Sequence, residues 1–266
     1  MQVMAIVNQK GGVGKTTSAV ILGHGLALQG WRVLLVDGDS QGHVERSLNI
    51  AKEPGLRRWA YEGEPLASCL VQARDNLWVL PGDKTTSLAA GKLRDEPLGV
   101  VTFGQRLRAE AGELAMDAVV MDMGPGLDHL QIAAMLAADV ILIPVPPRYM
   151  DVDGVQEVIR TLSELTNVGD RRPRQVIILP TLYSRVRAES QLRLREMVDT
   201  LGNLVWPPIP DDPRVPESPG RGKTLWEYAP DARAIRGIAL ADGQLVGGYA
   251  EALRRLDEKL REAQHG

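Results

Sequence analysis

The chain has 266 residues, a formal charge of −3, and 44 % hydrophobic and 24 % charged residues, an ordinary globular composition with enough length for a sizeable core. Its one cysteine, Cys69, excludes a disulfide framework and a cluster of cysteine ligands within one chain. Overall acidity speaks against a protein that coats nucleic acid uniformly, no run approaches the ~18 apolar residues of a membrane span, and a reducing, cytoplasmic setting is the expectation.

Residues 3–7 form an apolar run that reads as a buried first strand. Lys10-Gly11-Gly12-Val13-Gly14-Lys15-Thr16-Thr17 follows, and then Ala19, Val20, Leu22, Leu26 and Ala27 at helical spacing. Strand, glycine loop, helix is the setting a phosphate-binding loop requires. Gly11, Gly12 and Gly14 permit backbone angles and a close approach that a side chain would block. The amides from Gly11 through Thr17, Val13 among them, then face phosphate oxygens at the helix N-terminus. Lys15 reaches the β- and γ-phosphates, and the Thr16 hydroxyl ligates Mg²⁺. Gln9 stands where the usual pattern has its first glycine, and Lys10 adds a second lysine.

A second strand at residues 32–37 ends in Asp37, and the helix between makes a βαβ unit, hence a parallel sheet. Residues 51–75 read as short helices and loops, 76–80 as a strand stopped by Pro81-Gly82, and 83–99 as a loop with a helical turn or two. Alternation then continues: a helix at 101–114, a strand at 117–122 ending in Asp122, a helix at 130–136, a strand at 139–144, a helix near 152–165, a strand at 175–179 and a helix at 190–201. Six prolines between Pro207 and Pro219 imply a long loop in which no helix persists. A charged helix at about 246–264, with Leu253, Leu256 and Leu260 on one side, closes the chain. With no repeat and no linker, residues 1–266 read as one doubly wound α/β domain whose mostly parallel sheet is flanked by helices. Strand C-termini form the ligand crevice of such a sheet, which places Asp37 and Asp122 there, and Asp122, after four apolar residues, resembles a Walker B carboxylate that holds Mg²⁺. His24, His43, His129 and His265 lack metal-ligand spacing and read as structural or surface residues.

Several segments together resemble the ParA/MinD group of deviant Walker A P-loop ATPases, most of all the short Soj-like ParA partitioning proteins. They are Asn8-Gln9-Lys10 through Thr17, Val36-Asp37-Gly38-Asp39-Ser40-Gln41-Gly42, Met121-Asp122-Met123-Gly124-Pro125, residues 137–145, Ile209-Pro210, Glu217, Gly222-Lys223 and Glu227-Tyr228-Ala229-Pro230. The resemblance implies ATP and Mg²⁺ as cofactors and a nucleotide-dependent homodimer in which Lys10 of one protomer reaches the phosphates held by the other. A lysine there adds positive charge where phosphoryl oxygens become more negative. It implies that Asp39 positions the attacking water, that Asp37 lies near Mg²⁺, and that Pro210 and Asp211 contribute to the adenine pocket. It also implies nonspecific DNA binding on the dimer's far side, for which Arg185 is the matching residue and Arg187, Arg214 and Arg221 are neighbours, since phosphate contacts need charge and reach rather than base reading. A ParB-like partner, a nucleoid-associated cytoplasmic location and no membrane complete the expectation. Ser40 and Gly124 replace prolines usual in the group and loosen two switch-like loops. The alternatives are a MinD-like membrane-surface positioning ATPase, which the mixed charge of the tail suits poorly, and a ParA-like positioner of a non-DNA cargo.

Overall fold

The computed structural model describes residues 1–148, 152–165, 173–240 and 243–265. Its strands are β1 Gln2–Ile6, β2 Val33–Gly38, β3 Val71–Arg74, β4 Leu77–Leu80, β5 Ala118–Met123, β6 Val140–Val145, β7 Gln175–Pro180, β8 Ile238–Ala239 and β9 Leu245–Val246. Its α-helices are α1 Lys15–Leu28, α2 His43–Leu48, α3 Gly55–Ala60, α4 Leu66–Cys69, α5 Thr86–Asp95, α6 Gly99–Glu113, α7 His129–Ala137, α8 Val152–Leu165, α9 Ala188–Leu201, α10 Arg214–Glu217, α11 Leu225–Tyr228, α12 Arg233–Arg236 and α13 Gly248–His265.

One seven-stranded sheet has the order β3-β4-β2-β5-β1-β6-β7. Every pairing in it is parallel except β3 with β4. β1, β2, β5 and β6 are buried along their whole length, as strands covered by helices on both faces must be. Alternate residues serve opposite cores: Val3 and Ala5 join α5, α6, α7 and α8 on one face, while Met4 and Ile6 meet α1 and α13 on the other. The expected strands and long helices are present, displaced by a residue or two at their ends.

Three local readings need correction. Residues 83–99 contain a ten-residue helix, α5, with Thr86, Ala89 and Leu93 buried on one side; polar and glycine content masked that stripe. The proline-rich stretch holds α10 and a 3-10 turn at Pro219–Arg221, because proline is compatible with the first turn of a helix and Pro213 and Pro219 sit at such starts. β3 and the β8–β9 hairpin, both antiparallel, lie where the sequence reading has no strand.

What matters for function is register. β2 and β5 are neighbours with Asp37 directly opposite Asp122, and Ile6 of β1 is opposite Asp122 on its other side. Two carboxylates and the start of the glycine loop therefore leave the sheet at one level, on adjacent strands about 5 Å apart.

Candidate functional site

From β1 the chain enters a loop held at several points. The Asn8 amide donates to Pro144 O at 2.9 Å, and its carbonyl oxygen accepts the Lys10 N–H at 2.9 Å. The Gly126 N–H donates to Gln9 O at 3.1 Å, tying the loop to the segment after β5. Buried Thr181, just past β7, donates its hydroxyl to Val13 O at 2.8 Å. Gly12 and Gly14 have φ of 71° and 94°, a region where a side chain costs about 1–2 kcal/mol. The loop thus arrives at α1 already shaped.

Gly14 caps α1 without any side-chain hydrogen bond, and the first turn carries no acidic residue. The first amides of that helix are therefore left for an external acceptor, and the helix dipole favours an anion there. Lys15 is 7 % exposed and donates to Lys10 O at 2.8 Å, which points its ammonium back over the loop. Burial lowers its pKa, with Asp122 and Asp39 pulling it up again.

Opposite the loop lies a set of buried acids. Asp37 is fully buried and accepts the Asp39 N–H at 2.9 Å and the Val44 N–H at 3.3 Å. Burial first, and then the Glu45 and Asp122 carboxylates, push its pKa well up. Asp39 accepts the Gln41 N–H at 2.9 Å through its side chain and the Gly42 N–H at 3.0 Å through its carbonyl. Asp122 is fully buried, and neither of its oxygens has a hydrogen-bond partner. Burial drives its pKa up to about 7; the Thr16 hydroxyl, near but outside hydrogen-bonding geometry, and Lys15 restrain the rise.

Orphaned buried carboxylate oxygens next to a hydroxyl are a hard, all-oxygen donor set, which suits Mg²⁺. Among the described residues no three His, Cys, Asp or Glu side chains converge tightly enough to hold an ion alone. That fits an ion taking its remaining ligands from water and a nucleotide, as Mg²⁺ does in phosphoryl-transfer sites. Gly124, one of the two departures from proline, lies beside this group: a Cβ there would sit 3.7 Å from the Asp39 Cα, an ordinary contact. The position does not require glycine.

Pro210 and Asp211 lie on the segment that pairs with the chain following β7. Tyr183 pairs with Pro210, its N–H donating to Ile209 O at 3.0 Å while the Asp211 N–H donates to Tyr183 O at 2.8 Å. A cleft of about 630 Å³ opens here, lined by Tyr183, Arg185, Pro210, Asp211, Arg233 and Arg236. Arg185 shares this cleft and donates to Ala239 O of the β8–β9 hairpin at 2.7 Å. Arg187, at the head of α9, and Arg221 are exposed. Arg214 is engaged: it pairs with Asp212 at 3.0 Å and Asp231 at 3.1 Å. Burial would raise the Asp212 pKa, but Arg214 and two backbone N–H donors hold it at about 2. The four arginines are therefore not one free patch.

Sequence reasoning passed over Thr181 and Glu45. Thr181 had a usable signal, since it directly follows an apolar strand of a parallel sheet. Glu45, fully buried on α2 beside Asp37, carried none.

A family model described as an AAA domain matches residues 1–172. A chromosome-partitioning ATPase Soj of Thermus thermophilus is 34 % identical over 89 % of this chain and 93 % of its own length. A chromosome partitioning protein ParA of Caulobacter vibrioides is 32 % identical over 86 % of this chain and 87 % of its own. Among solved structures, a cobyrinic acid a,c-diamide synthase of Mycobacterium smegmatis with bound ADP and magnesium superposes with a TM-score of 0.71 at 26 % identity, covering 87 % of this chain and 96 % of that one.

Proposed function

We propose a function from one premise: the chain belongs to the ParA/MinD group of deviant Walker A P-loop ATPases, with Soj-like ParA proteins among its relatives. It is a DNA-partitioning ATPase that binds ATP with Mg²⁺ and hydrolyses it slowly until a ParB-like partner accelerates the step. The observation that carries this reading is the glycine loop at the head of an acid-free helix, with Asp37 and Asp122 in register beside it. Phosphoryl transfer needs placement and charge neutralisation more than covalent chemistry. In this proposal Lys15, Thr16 and the amides of residues 11–17 hold the phosphates, and Thr16, Asp37 and Asp122 hold Mg²⁺ directly or through water. Asp39 orients the attacking water, Pro210 and Asp211 border the base, and Lys10 acts on the nucleotide of a second protomer. The ATP dimer then binds nonspecific DNA, with Arg185, Arg187 and Arg221 as phosphate contacts, and lets go after hydrolysis.

The tail weighs against the membrane-positioning alternative. Leu253, Leu256 and Leu260 of α13 are packed in the core with α1, and the outer face carries four ion pairs: Arg254–Glu258, Arg255–Glu251, Lys259–Glu262 and Arg261–Asp257. A helix whose apolar side is already buried has little to insert into lipid.

Retention of the purified chain on random-sequence DNA with ATP, with ADP and without nucleotide tests the proposal. Retention specific to ATP and Mg²⁺, weakening linearly in log–log form with salt, is expected. Equal retention in all three conditions, or none with ATP, sinks the DNA reading.

A further inference from the structure

We infer that Arg233 and Arg236 of α12 are DNA-phosphate contacts, and that a nonspecific duplex lies along the cleft between α12, the β8–β9 hairpin and residues 183–187. The inference rests on the DNA reading above and adds to it two arginines that no sequence motif marks.

Local structure fixes where these side chains stand. α12 is one helical turn whose middle residues, Ala234 and Ile235, are buried, while Arg233 and Arg236 are exposed. Residues three apart share a helix face, and both arginines line the cleft. Arg185 joins them from the segment after β7 and donates to Ala239 O of the hairpin at 2.7 Å. The hairpin is fixed at its neck. Gly237 and Gly247 have φ of 90° and 78°, and a Cβ on either would run into a backbone oxygen, of Val246 in the first case and of Pro208 in the second. The Gly248 N–H also donates to Pro208 O at 3.0 Å. This wall of the cleft is therefore anchored to the segment that carries Pro210. Pro210 itself is buried, whereas Arg185, Arg233 and Arg236 are exposed, so the arginines stand at the mouth of the cleft.

Charge points to an anion there. Elsewhere in the chain carboxylates neutralise arginines, as Glu64 does Arg58, Glu110 does Arg106 and Glu251 does Arg255. Among the described residues no carboxylate lies within ion-pair distance of Arg185, Arg233 or Arg236. The Arg236 side chain has no hydrogen bond among them either, and that of Arg233 has one, to Asp211 O at 3.3 Å. Of the two acids lining the cleft, Asp231 pairs with Arg214 at 3.1 Å, which leaves Asp211 for three guanidinium groups. On a chain of net charge −3 this is a local positive surplus, and an anion relieves its self-repulsion. Guanidinium binds phosphate through two parallel N–H donors. The cleft, at about 630 Å³, is far larger than one phosphate, and exposed Arg187 continues the cationic edge beyond Arg185. An extended, repeating anion fits that shape. No element here is built to read bases: α12 has four residues and each hairpin strand two. Contact is with backbone phosphates, which carry no sequence information.

The test is retention of the full chain on random-sequence duplex with ATP and Mg²⁺ as salt is raised. Wild type is compared with Arg236→Ala, Arg236→Lys and the double variant Arg233→Ala/Arg236→Ala. The log–log salt slope becomes shallower by about one in Arg236→Ala and by about two in the double variant, so the affinity gap between wild type and Arg236→Ala narrows about fourfold between about 50 and 200 mM salt. Arg236→Lys keeps the charge and the slope. Arg254→Ala, which removes an exposed charge paired with Glu258 on α13, also leaves the slope unchanged. A fluorescent ATP analogue binds all variants as it binds wild type, and Arg236→Ala melts as wild type does. An unchanged slope in the double variant, or an equal change in Arg254→Ala, overturns the inference. Weaker binding of the ATP analogue by Arg236→Ala also overturns it, because the cleft would then serve the nucleotide. So does displacement from DNA by polyglutamate as efficient as by free duplex, which would mark a site for an acidic peptide. If wild type shows no ATP-dependent retention, the DNA reading falls and the inference with it; if wild type is retained and the variants match it, the inference falls alone.

Discussion

Thr181→Val removes one hydroxyl and almost nothing else. Its side chain is 2 % exposed, donates to Val13 O at 2.8 Å, and lies 3.6–3.8 Å from where a Gly14 Cβ would be. Valine keeps that shape, so no cavity forms at the Gly14 contact. The Val13 carbonyl instead loses its partner in a place water reaches poorly, at a cost of about 1–3 kcal/mol. For a chain of this size each kcal/mol corresponds to roughly 2–4 °C, so melting should fall by roughly 2–12 °C. Part of the loop's order must then be supplied by the nucleotide. If about 0.7–1.4 kcal/mol moves from folding to binding, affinity falls roughly threefold to tenfold. Thermal melting and titration with a fluorescent ATP analogue, each with Mg²⁺, measure the two effects. Thr181→Ser keeps the donor and is expected to bind ATP nearly as wild type does, with a small loss of stability from the missing methyl. A valine variant as stable and as avid as wild type, or a serine variant with the weaker affinity, would refute the claim that this hydroxyl shapes the loop.

Three further outcomes are expected. Lys15→Ala loses productive ATP binding, Lys10→Ala binds ATP but dimerises poorly, and Asp39→Ala forms a long-lived ATP dimer; titration with a fluorescent ATP analogue together with sedimentation in ATP separates them, and a Lys10→Ala protein that dimerises like wild type removes the role in trans. His24 is buried, hydrogen-bonded through Nδ1 to Thr224 Oγ1 at 2.7 Å, and its pKa is lowered chiefly by burial. The unfolded imidazole therefore takes a proton near pH 6.5 while the folded one resists until lower pH. Stability from this group is present above about pH 6.5 and lost as pH falls below it, so urea midpoints should drop between pH 7.5 and 5.5 by less in His24→Asn than in wild type. Arg187→Ala should weaken DNA retention and flatten its salt slope by about one with melting unchanged, whereas Arg214→Ala should lower the melting temperature, because it strips the buried Asp212 of its guanidinium partner.

Most of the sheet and half of the site were legible before any coordinates. β1, β2, β5 and β6 are continuous apolar runs because parallel strands are covered on both faces, and Gly12 and Gly14 are glycines because the chain turns left-handed there. Such constraints are local, and they also fix Lys15 and Thr16 at the first turn of α1 and put Asp37 and Asp122 at the C-terminal ends of strands. α5 escaped notice because Thr86, Ala89 and Leu93 are a thin apolar stripe among lysines and a glycine.

Other features belong to the tertiary structure alone. Register decides that Asp37 faces Asp122, packing decides that Glu45 is buried against them, and a contact across 168 positions lets Thr181 secure the phosphate loop. Arg214 matches Arg185 in type and charge, yet Asp212 and Asp231 hold it. A residue's type and spacing set what chemistry it can do. Whether that chemistry is free, charged or desolvated depends on which distant segments surround it, and those neighbours are chosen by the packing of the whole chain.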